Sequence, residues 1–306
     1  MSQKKGKVYS GIKNLPRGIA SDSITPGCLA VEGGAFRGLY VEGVLDLLME
    51  EDINLACTIG VSAGATSGMH YVSGQIGRAA RFNLIYRHDP RYVGRIALRD
   101  NQGIMGFDFF YNEFGAKHPF NYKRFNQPER RFIAVATSCL TGETLYFEKG
   151  KCSDIEKAIQ ASATMPYVSK PVMVDGIPCM DGGCSVKVPY RWALEQGFEK
   201  IVVIRSREPW HRRKEDTPES RLAKVVYRQY PEFANQLATS PARANAECDE
   251  LDRLQEEGRI FLIAPRLPVD IKRLEGDMEK LGELYYRGRS DAKKLLPELK
   301  EYLKMD

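Results

Sequence analysis

Thr58-Ile59-Gly60-Val61-Ser62-Ala63-Gly64-Ala65 joins an apolar run to a helical pattern through a single serine. The run from Ile53 to Val61 reads as a buried strand, and a helix begins near Ala63. A serine at such a turn, with glycine two residues to either side, has the pattern of a nucleophile elbow. Gly60 and Gly64 leave room for strand and helix to approach each other. The turn holds the serine in a strained conformation, and the helix N-terminus beneath it favours developing negative charge. The same pattern also suits a small-residue turn carrying an inert serine.

Upstream, the apolar run Cys28-Leu29-Ala30-Val31 leads into Glu32-Gly33-Gly34-Ala35-Phe36-Arg37-Gly38. A helix follows from about Leu39 to Glu51, with Val41, Val44, Leu45, Leu48 and Met49 at helical spacing. A strand–helix–strand unit predicts parallel pairing with a right-handed crossover. Both glycine loops then lie at the carboxyl edge of one sheet, where open α/β sheets place their sites. The backbone N–H groups of Gly33, Gly34 and Ala63 together offer an oxyanion hole, with Arg37 bracing the loop or adding positive potential. A phosphate-binding loop is the competing reading. It fails the dinucleotide fingerprint, because Ala35 stands where glycine is needed, and Phe36-Arg37-Gly38 is not a Walker sequence.

Residues 1–26 read as an extended arm, and residues 27–306 as a single domain. The elbow helix is expected to run from 63 to about 86. From about 87 to 130 the chain is irregular and rich in rings: Phe107, Phe109, Phe110, Tyr111, Phe114 and Phe120. Such an insertion either builds a small core of its own or walls an apolar substrate pocket as a lid. Phe132 to Phe147 reads as paired strands, Asp154 to about Thr164 as a helix, and Asp175-Gly176 as a tight hairpin turn. A helix from about Tyr190 to Gln196 ends at Gly197. Lys200–Arg205 and Arg259–Ala264 are further buried strands, in a part from about 207 onward that is otherwise mainly helical. The fold class is therefore α/β with a mostly parallel central sheet.

The net charge of +5 in 306 residues makes no case for nucleic acid, and no zinc spacing or aromatic–basic motif is present. Seven cysteines at irregular spacing, several inside apolar runs, fit a reducing compartment. With no apolar leader and no membrane-length run, a cytoplasmic location is the expectation. The Arg205–Lys214 run with Trp210 offers contact with an anionic membrane surface, although Glu208, Glu215 and Asp216 favour a solvated loop.

Acyl transfer by Ser62 needs a base. The chain has four histidines. His70, His88 and His118 precede any late acid, and His211 sits in the basic run Trp210-His211-Arg212-Arg213-Lys214, so a three-residue triad is poorly supported. The better candidate is Asp181 in Met180-Asp181-Gly182-Gly183, because Asp175-Gly176 already supplies the hairpin turn and two bare glycines let a carboxylate approach another backbone.

Three segments in order, EGGAFRG (32–38), GVSAG (60–64) and DGG (181–183), together resemble the patatin-like phospholipase family. ASATMPYVSKPV (161–172) is similar to the family's stretch before its aspartate, and the resemblance covers roughly residues 28 to 205. It implies a three-layer α/β/α fold and a Ser62–Asp181 dyad without histidine. It also implies an oxyanion loop of Gly33 and Gly34 with Arg37 and Gly38 in the same motif. Gly60, Gly64, Gly182 and Gly183 are the supporting glycines, and neither metal nor cofactor is called for. The implied activity is hydrolysis of a lipid ester: phospholipid, lysophospholipid or acylglycerol. The alternative is a non-catalytic lipid-binding protein that keeps the fold. Two positions depart from the family pattern. Glu32 replaces the first glycine of the loop, so its carboxylate must point away or pair with Arg37, and Val186-Lys187-Val188-Pro189 lacks the asparagine that many members carry.

Overall fold

The computed structural model describes residues 6–215 and 217–305. The chain opens with a short strand β1 (Gly18–Ile19), followed by β2 (Thr25–Val31), α1 (Gly38–Glu50), β3 (Leu55–Val61) and α2 (Ala63–Val72). Next come β4 (Gln75–Ile76), α3 (Arg78–Tyr86), α4 (Arg95–Asp100), α5 (Gly115–Lys117) and α6 (Tyr122–Phe125). The middle of the chain carries β5 (Arg131–Ser138), β6 (Thr144–Glu148), α7 (Ile155–Ser162), β7 (Val172–Val174), β8 (Ile177–Asp181) and α8 (Tyr190–Glu195). The last elements are β9 (Ile201–Ile204), α9 (Pro218–Val226), α10 (Pro231–Glu256), β10 (Phe261–Ile263) and α11 (Met278–Leu303).

The main sheet has the order β10-β9-β2-β3-β5-β8-β7, with β6 also on β5. From β10 through β5 the strands are parallel, while the β5–β8, β8–β7 and β5–β6 pairs are antiparallel. Side chains alternate across the sheet, as the two-residue period of a strand requires. Leu29, Val31, Phe132, Ala134, Val202 and Ile204 face one core with α1, α2 and α11. Cys28, Ala30, Ile133, Val135, Ile201 and Val203 face the other, against Tyr190 and Ala193 of α8 and Leu251 and Leu254 of α10. The result is the expected three-layer α/β/α arrangement. Strands buried on both faces explain why these segments read as unbroken apolar runs.

Helices α1 and α11 cross with backbones almost touching. A Cβ at Gly43 would collide with the Tyr285 carbonyl, and one at Gly288 with the Tyr40 carbonyl. Across this contact Tyr40 and Tyr285 donate to the buried carboxylates of Asp291 and Asp46, at 3.3 and 2.7 Å.

Three expectations are corrected. The elbow helix does not continue to residue 86. It ends at Val72, and the chain turns through Gly74 and Gly77, both at positive φ, before α3 begins. The described part of the N-terminal segment, read as an extended arm, lies against the domain. Leu15 and Ala20 are buried, and β1 pairs with β4. The first sheet strand also begins at Thr25, earlier than its apolar run. Lastly, the rings of the 87–130 insertion do not form a separate core. Phe107, Phe109, Phe110 and Phe114 join the same cluster as α1 and α2, around Phe82.

Candidate active site

Ser62 sits between β3 and α2 with φ 55° and ψ −122°, a left-handed conformation costly for a residue with a Cβ. The neighbours are bare because the turn leaves no space. A Cβ at Gly60 would lie 2.5 Å from the Gly64 carbonyl, and one at Gly64 would strike the Val31 and Glu32 carbonyls. The Ser62 N–H donates to the Ser162 hydroxyl at 2.9 Å, which fixes the elbow from α7.

Sheet register delivers the partner. Val61 of β3 is level with Val135 of β5, and Ala136, the next residue, is level with Asp181 of β8. The Ser62 hydroxyl donates to Asp181 Oδ2 at 2.7 Å. The other carboxylate oxygen accepts from the Gly183 N–H, also at 2.7 Å. The backbone of Asp181 is tied on both sides, its N–H to the Thr164 carbonyl and its carbonyl to the Thr137 hydroxyl, each at 2.9 Å. Gly182 is required because a Cβ there would collide with the Val135 carbonyl. Burial pushes the Asp181 carboxyl up, against the opposing pull of the Ser62 hydroxyl, the Gly183 N–H and the Lys187 ammonium.

Gly33 lies directly over the serine; a Cβ there would come within 2.8 Å of Ser62 Cβ. Among the described residues, none accepts from the N–H groups of Gly33, Gly34 or Ala63. Gly38 opens α1, and a Cβ there would lie 3.2 Å from Ala63 Cβ. Glu32 turns away from the serine. Its Oε2 accepts from the Ser206 N–H at 2.7 Å, and Arg205 Nε stands 3.9 Å off. It therefore pairs with the start of the 205–214 run and not with Arg37. Arg37 is no brace either: it is buried, and its Nε has no partner among the described residues.

Ser62 stands between two cavities. One, of about 60 Å³, is apolar and is walled by Phe36, Phe82, Phe107 and Phe110, with Glu42 and Asn83 among its lining. The insertion thus supplies a pocket wall as well as core. The other, of about 730 Å³, lies on the Asp181 side and is lined by Arg37, Lys187, Arg213 and Arg273. The 205–214 run is consequently not a plain solvated loop. Arg205 is buried, Arg213 faces this chamber, and Arg212 pairs with Asp249 and Asp252; Asp216 lies outside the described residues. His211 lines the chamber edge, 3.8 Å from Glu208, while His70 is buried against Phe110 and Phe120. Neither contacts Ser62. Among the described residues no group of acidic, histidine or cysteine side chains forms a metal cluster.

A model of the patatin-like phospholipase family matches residues 29–194. The chain belongs to that family. A second model, described as a domain of unknown function (DUF6363), matches residues 230–304, which hold α10, β10 and α11. The uncharacterized protein YjjU of Escherichia coli (strain K12) is 27% identical over 188 residues, 59% of this chain and 52% of that protein. The uncharacterized NTE family protein Rv1063c of Mycobacterium tuberculosis (strain ATCC 25618 / H37Rv) is 27% identical over 168 residues, 53% of this chain and 43% of that protein. The chain spans about half the length of these curated relatives. The crystal structure of VipD from Legionella pneumophila aligns with a TM-score of 0.49 at 12% identity, covering 97% of this chain and 72% of that one.

Sequence reasoning missed Ser162, Thr137 and Arg273, and it met Lys187 only as a departure from the family pattern. Ser162 and Thr164 lie in the ASATMP stretch, which could have marked them. Nothing near Arg273 in the sequence singles it out.

Proposed function

We infer that this chain is a serine acyl hydrolase acting on carboxylic esters of lipids, with Ser62 as nucleophile and Asp181 as base. The observation that carries this reading is the 2.7 Å hydrogen bond from the Ser62 hydroxyl to Asp181 Oδ2, made at a strained elbow beside unpaired backbone donors. Asp181 takes the hydroxyl proton as Ser62 Oγ attacks the ester carbonyl carbon. The N–H groups of Gly33, Gly34 and Ala63 hold the oxyanion. Collapse breaks the carbon–oxygen bond to the alcohol, which leaves with the proton from Asp181, and the acyl group stays on Ser62. Water then gives a proton to Asp181 and attacks the acyl-enzyme. The fatty acid departs and Ser62 recovers its proton.

The apolar cavity behind Ser62 suits the acyl chain, and phospholipid, lysophospholipid and acylglycerol are the candidate esters. Among the described residues no helix is long and apolar enough to cross a membrane. Trp210, 58% exposed and next to His211 of the chamber rim, is the side chain we assign to lipid-surface contact.

A fluorophosphonate probe tests the assignment on wild type, Ser62→Ala and Asp181→Asn, with ester hydrolysis in parallel. Labelling of wild type that disappears in Ser62→Ala, with hydrolysis lost in both variants, is the expected result. A wild type that neither labels nor turns over any ester, yet retains a copurifying lipid, overturns it in favour of a lipid-binding protein.

A further inference from the structure

Lys187 lines the larger chamber together with Ser62, Asp181 and Gly183, and ester cleavage as written above gives it no task. Its backbone is anchored from α10, where Glu247 Oε2 accepts from the N–H groups of Lys187 and Val188 at 3.0 and 3.2 Å. From that anchor the side chain reaches back four residues, and Nζ donates to the Gly183 carbonyl. The Ser240 hydroxyl, at 3.4 Å, is a long and weak second donor to the same carbonyl. The Gly183 N–H in turn donates to Asp181 Oδ1, and Asp181 Oδ2 accepts from the Ser62 hydroxyl, each at 2.7 Å. One run of contacts thus leads from the ammonium through a single glycine to the carboxylate and the serine.

The ammonium and the carboxylate also flank that glycine. A Cβ at Gly183 would lie 2.9 Å from Asp181 Oδ1 and 3.6 Å from Lys187 Nζ. An opposite charge at such range favours the ionised form of a carboxyl. Burial raises Asp181, and Lys187 opposes it after the Ser62 hydroxyl and the Gly183 N–H. Arg273 acts in the same sense but is exposed. Around the amine, burial and then Arg213 bring Lys187 down to about 8, with Cys184, Asp181 and Glu247 acting the other way. The amine is therefore charged through the acidic range. Of the other charged groups in the chamber, Glu32 is engaged with Ser206 and Arg212 with Asp249 and Asp252, while Arg37, His211 and Lys214 complete its lining.

Resting on the hydrolase reading above, we propose that Lys187 is a positioning residue for the dyad. Its ammonium holds the Gly183 carbonyl so that the Gly183 N–H stays aimed at Asp181 Oδ1, and its charge keeps Asp181 in the carboxylate form that Ser62 requires. A neutral polar side chain gives up the charge alone. An apolar one also leaves the Gly183 carbonyl without its close donor.

The test measures the pH profile of kcat/KM on a neutral p-nitrophenyl ester, and Tm, for wild type, Lys187→Met, Lys187→Gln and Lys187→Arg. Met keeps an unbranched stem without charge, Gln keeps an N–H donor, and Arg keeps the charge. The midpoint of the acid limb is expected to rise by about one pH unit in both neutral variants and to return toward the wild-type value in Lys187→Arg. On the plateau kcat should fall in Lys187→Met with KM unchanged, and fall less in Lys187→Gln. Wild-type midpoints in both neutral variants overturn the proposal, whatever Tm does, and leave the hydrolase intact. If both neutral variants fail to fold while Lys187→Arg folds, the ammonium serves the fold and the proposal also fails. If wild type cleaves no ester the hydrolase reading fails, and the Asp181 carboxyl is titrated by carboxyl-detected NMR instead. A higher midpoint in Lys187→Gln than in wild type upholds the coupling, and equal midpoints refute it.

Discussion

The Ser162 hydroxyl accepts a 2.9 Å hydrogen bond from the Ser62 backbone N–H, so a residue of α7 holds the strained elbow in place. Removing that hydroxyl leaves a buried N–H unpaired, at a cost of about 1–3 kcal/mol. Ser162→Ala is expected to lower kcat for ester hydrolysis with little change in KM and to lower Tm. Ser162→Thr, which keeps the acceptor, should recover part of both. Unchanged kcat in Ser162→Ala would show that the elbow holds its geometry without this contact.

The pH dependence of hydrolysis should report Asp181. Burial raises its carboxyl above the ordinary aspartate value of about 3.9. With Asp181 as the proposed base, hydrolysis uses its charged form, so kcat/KM should fall on acidification with a midpoint above that value. A profile flat down to pH of about 4 speaks against Asp181 as base. Folding also disfavours the charged form, so the carboxylate works against stability at pH values above its raised pKa. Asp181→Asn should therefore abolish hydrolysis while leaving Tm at neutral pH unchanged or higher. A large loss of Tm would mean that the carboxylate is needed for the fold itself.

Two further buried carboxyls set the pH dependence of stability. Burial, with a smaller contribution from Asp46, pushes Glu42 up to about 8. Burial also pushes Asp46 up to about 6, against the Gly77 N–H and the Tyr285 hydroxyl. In an unfolded chain such groups titrate near ~4.3 and ~3.9. The folded chain keeps protons through this window that the unfolded chain has lost. Stability is therefore expected to fall as pH rises from about 5 to about 8. Glu42 Oε1 is held by Asn83 at 2.7 Å, and Oε2 has no partner among the described residues, as suits a protonated acid bordering an apolar cavity. Glu42→Gln should flatten the Tm profile measured across that range. A wild-type Tm that does not decline there would show that Glu42 is charged in the fold.

The α1–α11 crossing is intolerant of any side chain. Gly288→Val or Gly43→Val must separate the two helices, because the atoms met are backbone carbonyls that cannot rotate aside. Overpacking of this kind costs about 1–3 kcal/mol or more. The expected readout is a lower midpoint of urea unfolding, with a Leu222→Ala control at an exposed position unchanged. Equal midpoints would mean that the crossing is looser than described.

Much of the fold was legible because strands buried on both faces leave continuous apolar runs, and glycines mark where backbones must meet. Gly60, Gly64, Gly182 and Gly183 announced the elbow and the aspartate turn before any contact was known. The break between α2 and α3 was less legible, because an apolar periodicity runs through Gly74 and Gly77 and only backbone φ reveals the turn. The insertion's rings could be read as a separate core or as a wall, since composition does not say what a ring packs against.

By itself, the sequence determined the parallel strand–helix–strand unit, the glycine loops and the short list of groups able to do chemistry, because these follow from local periodicity and the lack of a Cβ. Only the tertiary structure decided what those groups face. Register across β3, β5 and β8 brings Asp181 to Ser62, and Glu32 turns to Ser206 instead of Arg37. The burial that raises Asp181 and leaves Arg37 Nε without a partner among the described residues arises from elements far apart in the chain, and no local pattern encodes it.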